Sequence, residues 1–301
     1  MLDVSMDIIK KLKLENDIER AINLTNNPNK CKYMSTYSPI FGVTNENQNE
    51  IVKIINFKDK SVLLTGSSAD QYLSSVLCDS NEETIYDINV LAEYYIYLKI
   101  CALRNLNYDK YLEFIFPFIN KEKYFNIDII KDISKELPTH IKDFWILYLE
   151  EIDKNKLNNL IKFNNTKLSS IKNMLPYLSE ENFNILKKKI NKKDYPKFIE
   201  TDASYFEYSI TDSYDFISLS NIIECNQQPF DDVLERRLYT DEEWINYIKN
   251  TVIKNLNKNG ELLILKNNNY CNKYYEEEGF EKHLIECNEY NEKNVALILK
   301  R

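Results

Sequence analysis

The chain has 301 residues, 44% of them hydrophobic and 13% aromatic, which is enough apolar side chain for one large or two small packed domains and excludes a disordered chain. A net charge of −8 argues against nucleic acid as a partner, because nonspecific phosphate binding needs clustered Lys and Arg, here confined to local runs such as Lys187 to Lys193. Six cysteines (Cys31, Cys78, Cys101, Cys225, Cys271, Cys287) form no C-x-x-C pair, no signal peptide opens the chain and no apolar run is long enough to span a membrane. A cytoplasmic chain with no metal site, no disulfide framework and no transmembrane segment is expected.

Ile8, Leu12, Ile18, Ala21 and Ile22 predict an amphipathic helix that closes near Asn26-Asn27-Pro28 and serves as a lid or a homodimer face. Residues 31–44 carry turn chemistry around Pro39 and Gly42, and Asn45 to Ile55 reads as a helix leading into the first strand. That order brings Tyr37 and Glu46 back over any pocket formed by the next turn, as substrate-binding candidates, although an aromatic in such a loop is also a common local packing residue.

The stretch Ser61 to Asn89 organises the rest. Val62, Leu63 and Leu64 form a buried strand that stops at Thr65-Gly66, a helical pattern follows, and a second strand runs from Thr84 to Ile88. Gly66 lies where strand passes to helix, and Asp87 follows 21 residues later at a strand end. That is the spacing of a nucleotide cradle, in which a helix start takes a polar group and a carboxylate takes two ribose hydroxyls. Ser67, Ser68 and Ala69 stand where the usual fingerprint has further glycines. Ser68 and Gln71 also fit a capping box, and Asp87 also fits a helix N-cap.

After Asp87, Leu91, Tyr94, Tyr95, Leu98, Cys101 and Ala102 mark a helix. From Tyr108 to Lys193 the spacing is helical throughout with no strand pattern, broken by Pro117, Pro138 and Pro176, and the Lys187 to Lys193 run reads as a solvated helix end. Strands return at Lys197 to Ile199 and Tyr214 to Leu219. The loop Ser220 to Phe230 leads into Asp231 to Leu238, and Thr240-x-x-Glu243 predicts a capping box. Leu262 to Leu265 is a buried strand, Tyr270 to Glu278 a short helix, and Gly279 to Glu286 with Val295 to Leu299 an antiparallel hairpin closing a mostly parallel sheet.

This order resembles the class I S-adenosylmethionine-dependent methyltransferase fold, an α/β Rossmann-like architecture, here with a helical insertion. The carriers are the turn Leu64-Thr65-Gly66-Ser67-Ser68, the strand end Tyr86-Asp87-Ile88-Asn89, the step Glu200-Thr201-Asp202, the strand end Leu219-Ser220-Asn221-Ile222-Ile223-Glu224 and the strand Gly260-Glu261-Leu262-Leu263. The resemblance implies an N-terminal helix and lid segment at 1–44, a cofactor-binding domain at 45–107 with 194–301, and an insertion at 108–193 that covers the active-site mouth. It implies S-adenosylmethionine on Thr65, Gly66, Ser67, Ser68, Asp70, Asp87, Ile88, Asn89, Asp202 and Ser220, with Asp87 at the ribose and Asp202, unless it is only a loop carboxylate, at the adenine. It also implies catalytic roles for Asn221, unless it is only a turn-forming Asn, and for Glu224, unless it is only a loop carboxylate. Arg236 and Arg237, beyond that strand end, fit a carboxylate or phosphate of the acceptor, with a surface ion pair as the alternative.

A narrower likeness runs from Asp87-Ile88-Asn89 through Leu98-Lys99-Ile100 and Ala102-Leu103 to Tyr108–Phe116 and Phe144-Trp145. It resembles the bacterial betaine-lipid synthase group, whose members transfer the 3-amino-3-carboxypropyl arm of S-adenosylmethionine. The Trp-Glu-Asp-Pro step of that group is absent, and Val43-Thr44-Asn45-Glu46-Asn47 stands there instead. Three functions follow: methyl transfer to a small-molecule or lipid-like acceptor, aminocarboxypropyl transfer releasing methylthioadenosine, or a cofactor-binding scaffold without catalysis.

Overall fold

Three consecutive aliphatic residues with no polar face fit a strand covered on both sides. In the computed structural model Val62, Leu63 and Leu64 are fully buried in β1 (Ser61–Thr65). The structure describes residues 2–28, 36–116, 127–162, 168–222, 240–267, 274–286 and 293–301. Contacts divide the chain into two compact units, Met1–Val43 with Asn89–Asn164, and Thr44–Ile88 with Asn165–Arg301. The helix that follows Asp87 therefore groups with the first unit, and the back part of the helical block with the second. Neither limit falls at 107/108 or 193/194.

The second unit holds the sheet. After β1 come β2 (Glu82–Asp87), β3 (Lys197–Glu200), β4 (Tyr214–Ser218), β5 (Leu256–Asn267), β6 (Glu281–Glu286) and β7 (Lys293–Lys300). Their order across the sheet is β3-β2-β1-β4-β5-β7-β6. The pairs from β3 to β5 are all parallel, while β7 is antiparallel to both β5 and β6. The last strand is thus inserted between β5 and β6, and it alone opposes the common direction. The chain builds to one side of β1 and then, from β4, to the other, so β1 and β4 flank a topological switch point.

One core cluster joins sheet residues Leu63, Ile217, Leu262, Ile264, Val295 and Leu297 to Phe206, Trp244, Ile245 and Ile248. The helix carrying the last three, Asp241–Asn250, starts on the predicted capping box. Thr240 Oγ1 accepts the Glu243 N–H at 3.2 Å, and Glu243 Oε2 accepts the Thr240 N–H at 2.8 Å. The helix Asp70–Leu77 returns to β1 and packs against Glu180–Ile190. The lysines in the last turn of that second helix and just after it are not simply solvated. Lys189 Nζ donates to Leu77 O at 2.6 Å and pairs with Asp79 at 2.7 Å, and Lys193 pairs with Glu83 at 2.8 Å. Orphan carbonyls and carboxylates at the end of Asp70–Leu77 and the start of β2 draw them in.

The first unit is mainly helical. Its long helices are Leu2–Asn26, Val90–Asn105 and Thr139–Glu151. Buried Asp17 accepts the hydroxyls of Tyr37 and Tyr94, each at 2.7 Å, and Trp145 Nε1 donates to Tyr94 O at 3.0 Å. Two short strands, Ile40–Phe41 and Ile161–Lys162, pair in parallel, so the helical block does contain a strand, too short to show periodicity. On Leu2–Asn26 the expected apolar face splits. Ile18, Ala21 and Leu24 are buried, whereas Ile8, Ile9 and Leu12 are exposed. No helix among the described residues is long and apolar enough to cross a membrane.

Candidate functional site

Parallel sheets of this kind gather ligands at the carboxyl ends of their strands, at the switch point. At that edge β1 ends in Thr65-Gly66-Ser67-Ser68, β2 in Asp87 and β4 in Ser218-Leu219-Ser220-Asn221. Hydroxyls tie the three ends together, because Thr65 Oγ1 and Tyr86 Oη both donate to Ser218 O, at 3.3 and 2.8 Å.

Gly66 is required by a close approach. A Cβ there would stand 2.9 Å from both Cβ and Oδ2 of Asp87. The bare backbone lets the Ser67 N–H reach Asp87 Oδ2 at 2.6 Å, and Asp87 remains half-buried at the edge, with Ile88 half-buried beside it. Ser67 (φ 42°), Ala69 (φ 67°) and, after β4, Ser220 (φ 51°) are all left-handed without being glycine. Such conformations cost roughly 1 to 3 kcal/mol each and persist where the surroundings enforce them, often at ligand sites.

The predicted capping box on Ser68 and Gln71 does not form. Ala69 is the N-cap residue of Asp70–Leu77 and makes no side-chain cap. Ser68 Oγ instead donates to Asp70 Oδ2 at 2.7 Å, and Gln71 Nε2 to Glu46 Oε2 at 2.7 Å. Two buried carboxylates draw the donor groups of these side chains toward themselves, and neither side-chain oxygen is turned to accept a helix amide. Asp70, 1% exposed, also accepts the Thr44 N–H at 2.7 Å and the hydroxyl of Tyr177. Glu46, 6% exposed, also accepts Gln48 Nε2 at 3.1 Å and the hydroxyl of Ser220. Burial raises the Glu46 pKa above its ordinary value. The bonds from Ser220, Gln71 and Gln48 oppose the shift and the charge of Asp70 adds to it.

The structure thus brings Glu46, Thr65, Gly66, Ser67, Ser68, Asp70, Asp87 and Ser220 into one unit, around the ends of β1, β2 and β4. Asn221 is half-buried next to Ser220, whose hydroxyl lies 3.4 Å from Asn221 Oδ1. Asp202, at the end of β3, caps a short turn by accepting the Ser204 N–H at 2.8 Å. Asn89 and Tyr37 belong to the first unit. There Asn89 caps Val90–Asn105 and donates to Ser38 O at 3.0 Å, and Tyr37 holds Asp17. Glu224, Arg236 and Arg237 lie outside the described residues. Sequence reasoning missed Gln48, Gln71 as a partner of Glu46, and Tyr177. Only the first two stand near a marked residue in the sequence.

A separate cavity of about 410 Å³, lined by Glu82, Thr84, Lys193, Pro196, Lys197 and Tyr214 among others, sits at the opposite, amino-terminal edge of the sheet and includes none of these residues.

No family model matches the chain, and no curated protein matches it. Solved structures overlap it loosely. A methyltransferase from Pyrococcus furiosus does so over 86% of this chain and 83% of its own, at 8% identity and a TM-score of 0.39. A protein described as a SAM-dependent methyltransferase from Streptococcus mutans covers 86% of this chain at 9% identity and 0.39, and this chain spans 50% of that one. An rRNA methylase from Streptococcus thermophilus covers 84% of this chain and 93% of its own at 7% identity and 0.33. Overlaps this loose carry no weight for the site, and nothing among them bears on the narrower likeness to betaine-lipid synthases. The fold rests on the chain's own strand order and register.

Proposed function

We propose that the second unit binds S-adenosylmethionine at the carboxyl ends of β1, β2 and β4, and that the chain is a transferase using that cofactor. The observation that carries the reading is Asp87, a half-buried carboxylate at the end of β2, aligned by the Ser67 N–H at 2.6 Å against a turn where only glycine fits. A ribose offers two hydroxyl donors, which a carboxylate at this position is suited to accept. When bound, the cofactor supplies a carbon made electrophilic by its sulfonium.

The protein's part is placement. In this reading Asp87 takes the ribose, the Gly66 to Ser68 backbone the methionine moiety and Asp202 the adenine, and Asn221 and Glu224 serve the acceptor without forming a covalent link. The acceptor in this reading is small-molecule or lipid-like, held by Arg236 and Arg237.

Calorimetry with S-adenosylmethionine tests the cofactor assignment. Loss of a charge-assisted hydrogen bond costs roughly 1.5 to 3 kcal/mol, so Asp87→Ala should weaken binding about ten-fold or more. Unchanged affinity in a folded variant removes Asp87 from the site. The sulfur product then names the group moved: S-adenosylhomocysteine for methyl transfer, methylthioadenosine for the aminocarboxypropyl arm. Product formed only with added RNA would replace the proposed acceptor class.

A further inference from the structure

A carboxylate offers roughly four acceptor positions, and buried ones need them filled. Glu46 receives three neutral donors, Ser220 Oγ on Oε1 and the amides of Gln71 and Gln48 on Oε2. Among the described residues, the charge that acts on it is that of another carboxylate, Asp70. The ionised Glu46 carboxylate only accepts, and toward it the Gln71 amide turns its NH2. Gln71 Oε1 is then left as a buried acceptor without a hydrogen-bond partner, in a residue only 9% exposed.

A charged acceptor and a neutral acceptor therefore stand side by side, bridging the helix start after β1 and the strand end after β4. The complement of that pair is a cation with several donors. A primary ammonium has three N–H groups and one positive charge. A divalent metal is a poorer complement, since among the described residues no three His, Cys, Asp or Glu side chains converge.

We infer that Glu46 and Gln71 receive the ammonium of the amino-acid end of an adenosyl cofactor. This rests on the proposed function and deepens it, because it moves recognition of that end from the Gly66 turn to a residue 20 positions upstream. Glu46 lies outside the stretch Ser61 to Asn89 that carries the nucleotide-cradle spacing, and Gln71 lies within it.

S-adenosylhomocysteine and methylthioadenosine separate the two ideas, since both are neutral at sulfur and only the first has the amino-acid end. Calorimetry on the full chain would compare wild type with Glu46→Gln and Gln71→Leu, each checked for folding by its melting curve. Each variant should bind S-adenosylhomocysteine about ten-fold or more weakly and methylthioadenosine within about two-fold of wild type. Should Glu46→Gln fail to fold, Gln71→Leu carries the comparison. Folded variants that bind S-adenosylhomocysteine as wild type does, or lose both nucleosides in step, overturn the receptor and leave the cofactor site standing. A wild type that binds neither nucleoside overturns the proposed function and the receptor with it.

Discussion

Gly66 is where the ends of β1 and β2 come closest, and the contact sets both the turn and the pose of Asp87. Gly66→Ala would press a methyl group to 2.9 Å from Asp87 Cβ and Oδ2. Crowding of that kind costs typically 1 to 3 kcal/mol, and chemical denaturation should show a loss of about that size. Wild-type stability would mean that Asp87 is free to withdraw. Glu46 makes a different prediction. Its folded pKa is raised above the ordinary 4.5 by burial, so its contribution to stability is fully present below the unfolded value and is lost as pH rises through the folded one. Gln mimics the protonated form, so the melting temperature of Glu46→Gln minus that of wild type should be larger at about pH 8 than at about pH 5. A difference that is flat with pH would show the carboxyl keeping one charge state throughout. A buried charge that weakens the free protein while fitting a ligand is a common exchange of stability for function.

Among the elements, the strands were the most legible in the sequence, because β1 holds a continuous apolar run, β2 and β4 hold the short apolar pairs Ile85-Tyr86 and Phe216-Ile217, and all three end on polar residues. Thr240-x-x-Glu243 was legible because its donors and acceptors are exposed and pair with each other. Ser68-x-x-Gln71 has the same pattern and a different outcome, since Glu46 and Asp70 lie within reach and are buried. Pairings between distant segments left no trace in the sequence. Tyr177 meets Asp70 from 107 positions away, on the turn Pro176–Leu178 that docks against Asp70–Leu77. Tyr177→Phe removes one donor from a buried carboxylate and should cost about 1.5 to 3 kcal/mol by denaturation. A loss well below that would mean that water or a neighbour replaces the hydroxyl.

At the scale of the whole molecule, the order β3-β2-β1-β4-β5-β7-β6 creates the one feature on which the functional reading depends, a switch point whose carboxyl edge carries Asp87, Glu46 and Ser220. Sequence spacing located that edge correctly as a turn and two strand ends. It did not anticipate the division into two units, because contact grouping depends on how helices pack and not on the period of any one of them. The cavity at the opposite edge is a competing place for a ligand. Hydrogen exchange with and without S-adenosylmethionine distinguishes the two edges in one experiment. The account predicts that the cofactor slows exchange in peptides spanning residues 65–71, 87–88 and 218–221 and leaves 193–197 and 212–214 unchanged. Protection confined to 193–197 and 212–214, with the carboxyl edge unaltered, would contradict it.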